Sequence, residues 1–111
     1  MKNRLNVLLV CGAGASSSFM AAKMRLAARD RGLDLVITAR SESEISNYNE
    51  EIDALMVGPH LSDIYESTRK HYEKDFAVIL MKKEYYSTLD GNKAIDHLLS
   101  ELEEYSKSKE D

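Results

Sequence analysis

Cysteine and proline occur once each in this chain of 111 residues, and tryptophan is absent. A single cysteine cannot form an intramolecular disulfide, and without a Cys-X-X-Cys motif it lacks a resolving partner for disulfide exchange. No apolar run approaches the ~18 residues of a membrane span, and the N-terminus lacks the apolar core of a signal peptide. We therefore expect one soluble, cytoplasmic domain without structural disulfides.

Acidic residues are missing from positions 1–29, although the whole chain has a net charge of −4. That segment carries +5, so the remainder carries −9, and its cations are Lys2, Arg4, Lys23, Arg25 and Arg29. A local excess of positive charge favours an anionic ligand or an acidic partner surface, with chance segregation as the alternative. Nucleic acid is disfavoured as a partner, because the chain is acidic overall and has no basic cluster with interleaved aromatic residues.

Apolar runs and helical patterns alternate along the chain, which favours an α/β fold. Short apolar runs predict strands at 5–11, 33–39, 53–57 and 76–80. Helical spacing predicts helices at 18–32, 61–72 and 95–105, with a loop and short helix at 41–51 and an irregular segment at 82–91. Continuous apolar strands joined through helices indicate a four-stranded parallel sheet flanked by helices on both faces, with ligands beyond the carboxyl ends of the strands.

The small-residue segment after the first strand has the composition of an anion-binding loop. It follows Cys11 and opens a helix, and it consists of Gly12, Ala13, Gly14, Ala15, Ser16 and Ser17. Small side chains let backbone N–H groups close around a central atom, and the helix adds unpaired amides and the positive end of its dipole. We expect the thiol to be stabilised as thiolate, with a pKa below the free value of ~8.5, and the same pocket to accept a phosphoryl group.

Cys11 has two other interpretations, a redox thiol and a buried packing residue. The redox interpretation lacks a second cysteine, and a packing residue needs no glycine- and serine-rich loop after it. The plainer interpretation of the loop is an ordinary strand-to-helix turn in which Ser16 or Ser17 is only the N-cap. Capping and phosphate binding are compatible, and we favour a nucleophile or phosphoryl carrier.

Other phosphate-binding patterns fit this loop poorly. It has neither the Gly-Lys-Ser/Thr of a Walker A motif nor the third glycine of Gly-x-Gly-x-x-Gly, whose position is Ser17. A low-molecular-weight tyrosine phosphatase needs arginine at that same position and an Asp-Pro acid, and the chain has neither. Such a hydrolase using Cys11 remains the alternative function. A response-regulator-like domain would need acids where Cys11 and Gly58 stand. Without an arginine clamp or a general base, a phosphocysteine would be kept from water until an acceptor docks.

The histidines and the tyrosine pair are weaker candidates for a functional role. His60, His71 and His97 have no ligand spacing to the cysteine, so we expect no metal site. His71 and His97 are predicted to be solvated helix residues, whereas His60 could lie near the loop at the carboxyl edge of the sheet. Tyr85 and Tyr86 are expected to be packing or rim residues, and Asp90-Gly91 to be a turn followed by a helix start.

These residues resemble the IIB component of the lactose/cellobiose class of the bacterial phosphoenolpyruvate-dependent sugar phosphotransferase system, over essentially the whole chain. The matching features are the strand ending in Cys11, the Cys-x-x-Gly-x-Ser-Ser/Thr loop, Lys23-Met24-Arg25, Gly58-Pro59, and Tyr86 with Asp90-Gly91. His60 departs from the family, in which Gln often follows Gly-Pro. The resemblance implies one IIB-like domain at 1–106, and we expect a frayed tail at 107–111.

The resemblance also implies a transferase with a phosphocysteine intermediate. Cys11 would accept a phosphoryl group from a phosphohistidine of the IIA protein and pass it to a sugar bound by the membrane IIC protein. The sugar would be a β-diglycoside such as cellobiose, chitobiose or lactose. Pro59, His60 and Tyr86 are candidate partner-docking or rim residues, and no cofactor is expected. The protein would be cytoplasmic and transiently at the inner face of the membrane.

Overall fold

The computed structural model describes residues 4–11, 15–48 and 50–110, with the backbone alone for Cys11, 15–17 and 109–110. Its strands are β1 (Leu5–Cys11), β2 (Leu35–Ser41), β3 (Ala54–Val57) and β4 (Ala77–Leu80). Its helices are α1 (Ala15–Asp30), α2 (Ile45–Tyr48), α3 (Ser62–Tyr72), α4 (Lys83–Ser87) and α5 (Gly91–Glu110). Short 3₁₀ turns at Glu42–Glu44 and Pro59–Leu61 precede α2 and α3.

The four strands form one parallel sheet in the order β2-β1-β3-β4, which confirms the predicted fold class. The central strand β1 pairs along its whole length with β2 and through Val7–Val10 with β3. Both central strands are covered on both faces where they pair, so Val7–Val10 of β1 and all four residues of β3 are apolar and buried.

Two apolar clusters lie on opposite faces of the sheet. Alternate strand residues pack against α1 and α5 in the larger cluster, whose largest fully buried side chains are Leu9, Met20, Met24, Met56, Ile79, Met81, Ile95 and Leu98. The other strand residues pack against α2, α3 and the chain before β4, and this cluster contains Leu8, Val10, Ile45, Leu55, Val57, Phe76 and Val78. Successive side chains of each strand therefore point to opposite faces of the sheet and pack against two separate helix layers.

Several boundaries differ from the sequence prediction by a few residues, and three differences bear on the site or on the chain end. Helix α1 begins at Ala15 rather than residue 18, so Ser16 and Ser17 lie within its first turn, and the interpretation of either as the N-cap is wrong. The segment predicted to be irregular contains α4, which is only five residues long and so has too little sequence for a helical period. Helix α5 continues to Glu110, within the stretch predicted as a tail.

The turn between α4 and α5 holds Tyr86 in place. Leu89 has a left-handed φ of 56°, its N–H donates to the Tyr86 carbonyl at 3.2 Å, and the Asp90 N–H donates to the Tyr85 carbonyl at 2.9 Å. These two bonds form a Schellman ending of α4, and the half-buried Leu89 side chain packs on the larger cluster. Asp90 then begins α5 by accepting the Lys93 N–H at 3.1 Å, which confirms the predicted turn and helix start.

Candidate functional site at the carboxyl edge of the sheet

Cys11 ends the central strand at the topological switch point of the sheet. From β1 the chain moves to β2 on one side, whereas from β3 it moves to β4 on the other, so a crevice opens between the carboxyl ends of β1 and β3. The backbone of Cys11 lies opposite Ser41 of β2, and on the other side the Gly58 N–H donates to the Val10 carbonyl at 2.9 Å. Ser41 was not among the predicted site residues, because its register with Cys11 depends on the strand order.

Helix α1 points its N-terminus toward this edge. It begins at Ala15, has no acidic residue in its first turn, and contains Ser16 and Ser17 within that turn. The free amides and dipole of such a helix end stabilise a nearby anion. Gly12, Ala13 and Gly14 lie outside the described residues, so their role in the predicted phosphate loop stays a prediction.

The three predicted rim residues lie on the same edge of the sheet. Pro59 and His60 are in the 3₁₀ turn after β3, and Tyr86 is in α4, which follows β4. The rings of His60 and Tyr86 meet edge to face with centroids 6.0 Å apart. His60 is exposed, whereas Pro59 and Tyr86 are half-buried. The structure therefore joins two of the three residues in one aromatic contact at the carboxyl edge.

His97 corrects one prediction, because it is not a solvated helix residue. Its side chain is 15% exposed, and its Nδ1 lies 2.7 Å from the Tyr85 hydroxyl. Burial is the main cause that lowers the pKa of His97, and burial also raises the pKa of Tyr85 to about 12. In the neutral tautomer with its proton on Nε2, the Tyr85 O–H donates to Nδ1 of His97, and Nε2 lies 3.9 Å from a Glu101 carboxylate oxygen.

The hydrogen bond between Tyr85 and His97 joins α4 to α5. Because Tyr86 follows Tyr85 in α4, this bond also helps to fix the position of Tyr86. The sequence had no clear signal for it, because His97 lies outside the apolar stripe through Ile95, Leu98 and Leu102 on α5. His71, by contrast, is exposed on α3, as predicted.

Residues 4–11, 15–48 and 50–110 bring together no group of three or more His, Cys, Asp or Glu side chains that could hold a metal ion. Within the same ranges, no helix is both long and apolar enough to cross a membrane.

Comparison with known proteins identifies the family. The family model "PTS system, Lactose/Cellobiose specific IIB subunit" matches residues 6–97. An oligo-beta-mannoside-specific EIIB component from Bacillus subtilis is 27% identical over 95 residues, covering 85% of this chain and 92% of that protein. A cellobiose-specific EIIB component from Lactococcus lactis is 30% identical over 95 residues, covering 80% of this chain and 88% of that protein.

Solved structures show the same fold. A cellobiose-specific phosphotransferase IIB component from Borrelia burgdorferi has a TM-score of 0.77 at 20% identity, covering 95% of this chain and 97% of that one. A lactose-specific IIB domain from Streptococcus pneumoniae has a TM-score of 0.79 at 16% identity, covering 88% and 97%. Since the family model spans most of the sequence, this chain belongs to the lactose/cellobiose-specific IIB family of the phosphotransferase system.

Proposed function

We propose that this protein carries a phosphoryl group on Cys11 between the IIA protein and a sugar held by the membrane IIC protein. Its family consists of phosphotransferase components of sugar uptake, which work with IIA and IIC partners. The observation that supports Cys11 as the carrier is its position: the only cysteine of the chain ends the central strand at the switch point. The N-terminus of α1 follows after only three further residues.

The reaction consists of two displacements at phosphorus. The Cys11 thiolate attacks the phosphoryl group of a phosphohistidine, so an S–P bond forms, the N–P bond breaks, and the imidazole nitrogen keeps the electron pair. A sugar hydroxyl oxygen then attacks the same phosphorus, its proton passes to water or to a base of the acceptor protein, and thiolate leaves. Phosphorus is neither oxidised nor reduced, so neither step needs a cofactor.

The loop after Cys11 would stabilise the charge that develops on the transferred group. Backbone N–H groups of residues 12–17 would donate to the equatorial phosphoryl oxygens, with the hydroxyls of Ser16 and Ser17 as further donors. An acid in the first turn of α1 would oppose this charge, and the sequence has none there. Pro59, His60 and Tyr86 would form part of the rim that a docked partner covers.

The transported sugar is proposed to be a β-diglycoside. Two related proteins have names that specify oligo-beta-mannosides and cellobiose, and the class itself is named for lactose and cellobiose, which support this proposal. In this proposal IIC selects the sugar, and the present protein reaches the inner face of the membrane only while transferring its phosphoryl group.

The test is to phosphorylate the protein with phosphoenolpyruvate, the general phosphotransferase proteins and the IIA protein of the same system. Intact-mass measurement should show the addition of one phosphoryl group, and peptide mapping should place it on Cys11. Cys11→Ser should abolish both the phosphoryl addition and sugar phosphorylation, whereas Ser67→Ala, at an exposed position of α3 away from this edge, should keep both. Retained sugar phosphorylation in Cys11→Ser would refute the assignment. Turnover of p-nitrophenyl phosphate by the isolated protein would instead support the hydrolase.

A further inference from the structure

Helix α1 exposes apolar side chains on the face that turns away from the core. Its inward face already packs through buried residues such as Met20 and Met24. On the outward face, Phe19 is 65% exposed and Leu26 is 47% exposed, and the exposed Ala22 lies between them. Residues seven apart lie on the same side of a helix, so these three side chains form one strip. A surface helix normally has polar residues there, so the strip indicates contact with another molecule.

Cations flank the strip on both sides. Helical geometry places Lys23 beside Phe19 on the side of α5, and Arg25 and Arg29 on the side of β2. Among the described residues, none of these three cations forms an ion pair with a carboxylate. The Arg25 Nε donates to the Ile37 carbonyl of β2 at 2.9 Å, so this guanidinium is held in place beside the strip while keeping its charge.

We call this surface the α1 face and define it by its apolar strip and its cations: Phe19, Ala22, Leu26, Lys23, Arg25 and Arg29. The apolar strip and the cations of the α1 face together determine which kind of partner surface is complementary to it. An apolar centre with a cationic border complements an acidic protein surface that has exposed apolar side chains at its centre.

The α1 face begins close to Cys11. Phe19 is four residues past the start of α1, or ~6 Å along the helix axis, and Leu26 is ~16 Å along it. A small, transient interface covers on the order of 600 Å² on each partner, which corresponds to a disc of roughly 14 Å radius. A protein that brings a phosphohistidine to Cys11 must therefore cover the first turns of α1, with Leu26 near the border of the contact.

We propose that the α1 face docks the phosphohistidine donor, the IIA protein, through an acidic surface with an apolar centre. This inference rests on the proposed function of Cys11. The charges favour the donor over the acceptor, because a loaded donor brings a phosphoryl group of about −1.5 to −2 charge to a cationic face that is still unloaded. After transfer, the negative charge of the phosphoryl group is on Cys11 of this protein and partly neutralises the cations of the α1 face. Attraction is therefore greatest before transfer and weaker afterwards, which suits a donor that must leave.

The test compares variants of the α1 face with matched variants elsewhere on the surface. Phe19→Ser combined with Leu26→Ser removes the strip, and its control is Val36→Ser, an exposed apolar residue of β2. Lys23→Glu reverses a flanking charge, and its control is Lys70→Glu on α3, on the opposite side of the sheet. All these side chains are exposed, so thermal melts should match the wild type.

The measurement is the initial rate of phosphoryl transfer from phosphorylated IIA as a function of the concentration of this protein. The double variant and Lys23→Glu should each raise the half-saturating concentration about tenfold, equivalent to ~1.4 kcal/mol, with the maximal rate unchanged. Both controls should behave as the wild type. Added salt should slow the wild type, and it should slow Lys23→Glu less.

Three results would overturn the proposal. If the wild type is phosphorylated on Cys11 and both variants transfer like their controls, the docking surface lies elsewhere and the proposed function stands. If the variants accept phosphate normally but pass it slowly to sugar in IIC-containing membranes, the α1 face serves the acceptor. If the wild type accepts no phosphoryl group at all, the proposed function fails first, and the assignment of the α1 face fails with it.

Discussion

Gly91 is the position where one added carbon atom should damage this fold most clearly. It is the first residue of α5, it is buried, and it lies directly against the backbone of α1. A Cβ on Gly91 would lie 2.6 Å from the carbonyl carbon of Lys23 and 3.0 Å from the nitrogen of Met24, and closer still to the Lys23 carbonyl oxygen. These are backbone atoms within a helix, so neither side can yield by changing a rotamer.

The cost of Gly91→Ala follows from the separation that it forces on the two helices. Ordinary contact would require α5 to retreat from α1 by about 1 Å, and a gap of that size forfeits a quarter to a half of each nearby dispersion contact. Overpacking costs typically 1–3 kcal/mol, and we use the upper end, about 3 kcal/mol, because backbone atoms cannot move aside; the better helix propensity of alanine returns ~1 kcal/mol. We expect a net loss of ~2 kcal/mol in the free energy of unfolding, or about 10 °C in Tm for a domain of this size.

Thermal and urea unfolding of Gly91→Ala should be compared with Gly32→Ala. Gly32 has a left-handed φ of 69°, but a Cβ there would meet no atom within 4 Å, so its substitution costs conformational strain without a clash. We expect that control to lose ~1 kcal/mol. If Gly91→Ala is no less stable than Gly32→Ala, the close approach of α5 to α1 does not explain this glycine.

Two further predictions concern α5. Because burial lowers the pKa of His97, the unfolded chain takes up this proton first, so the stability present above pH 6.5 should be lost as the pH falls through the lowered pKa. Urea midpoints from about pH 8 down to about pH 5 should therefore fall more steeply for the wild type than for His97→Gln. Asp90→Ala removes the acceptor of the Lys93 N–H and should cost ~1 kcal/mol in a thermal melt, and an unchanged Tm would show that the 3.1 Å bond does not stabilise the helix end.

The sequence predicts the layers of this fold better than it predicts their arrangement. Each strand is a short apolar run, and the structure places each predicted run in the sheet within two residues at either end. The order β2-β1-β3-β4 was not predictable from these runs, since a short apolar run does not indicate which other strand lies beside it. Helix α4 was missed because its five residues cannot show a helical period, and it is held by tertiary contacts such as Tyr85 with His97.

The candidate site likewise has one part that the sequence predicts and one part that depends on the arrangement of the strands. The chemistry at Cys11 could be proposed from residue types alone, because a thiol followed by small residues and a helix start has few other uses. The pairing of Cys11 with Ser41 could not, because that register depends on the strand order. His60 and Tyr86 were each predicted as rim residues, but their ring contact was not predicted, because it depends on how the segments after β3 and β4 meet.

Helix α1 has two proposed roles, stabilising the phosphoryl group at its N-terminus and docking the donor on its outward face, and its packing explains how one element serves both. Gly91 lets α5 approach the backbone of α1 at Lys23, and Arg25 fastens the other flank to β2. The helix is therefore fixed on both sides, so its N-terminus is aimed at the crevice beside Cys11 while its outward face presents Phe19 and Leu26. Substitutions of the outward side chains should change partner recognition without changing the chemistry. Substitutions that loosen the inward packing should lower stability and move the docking surface and the helix end together.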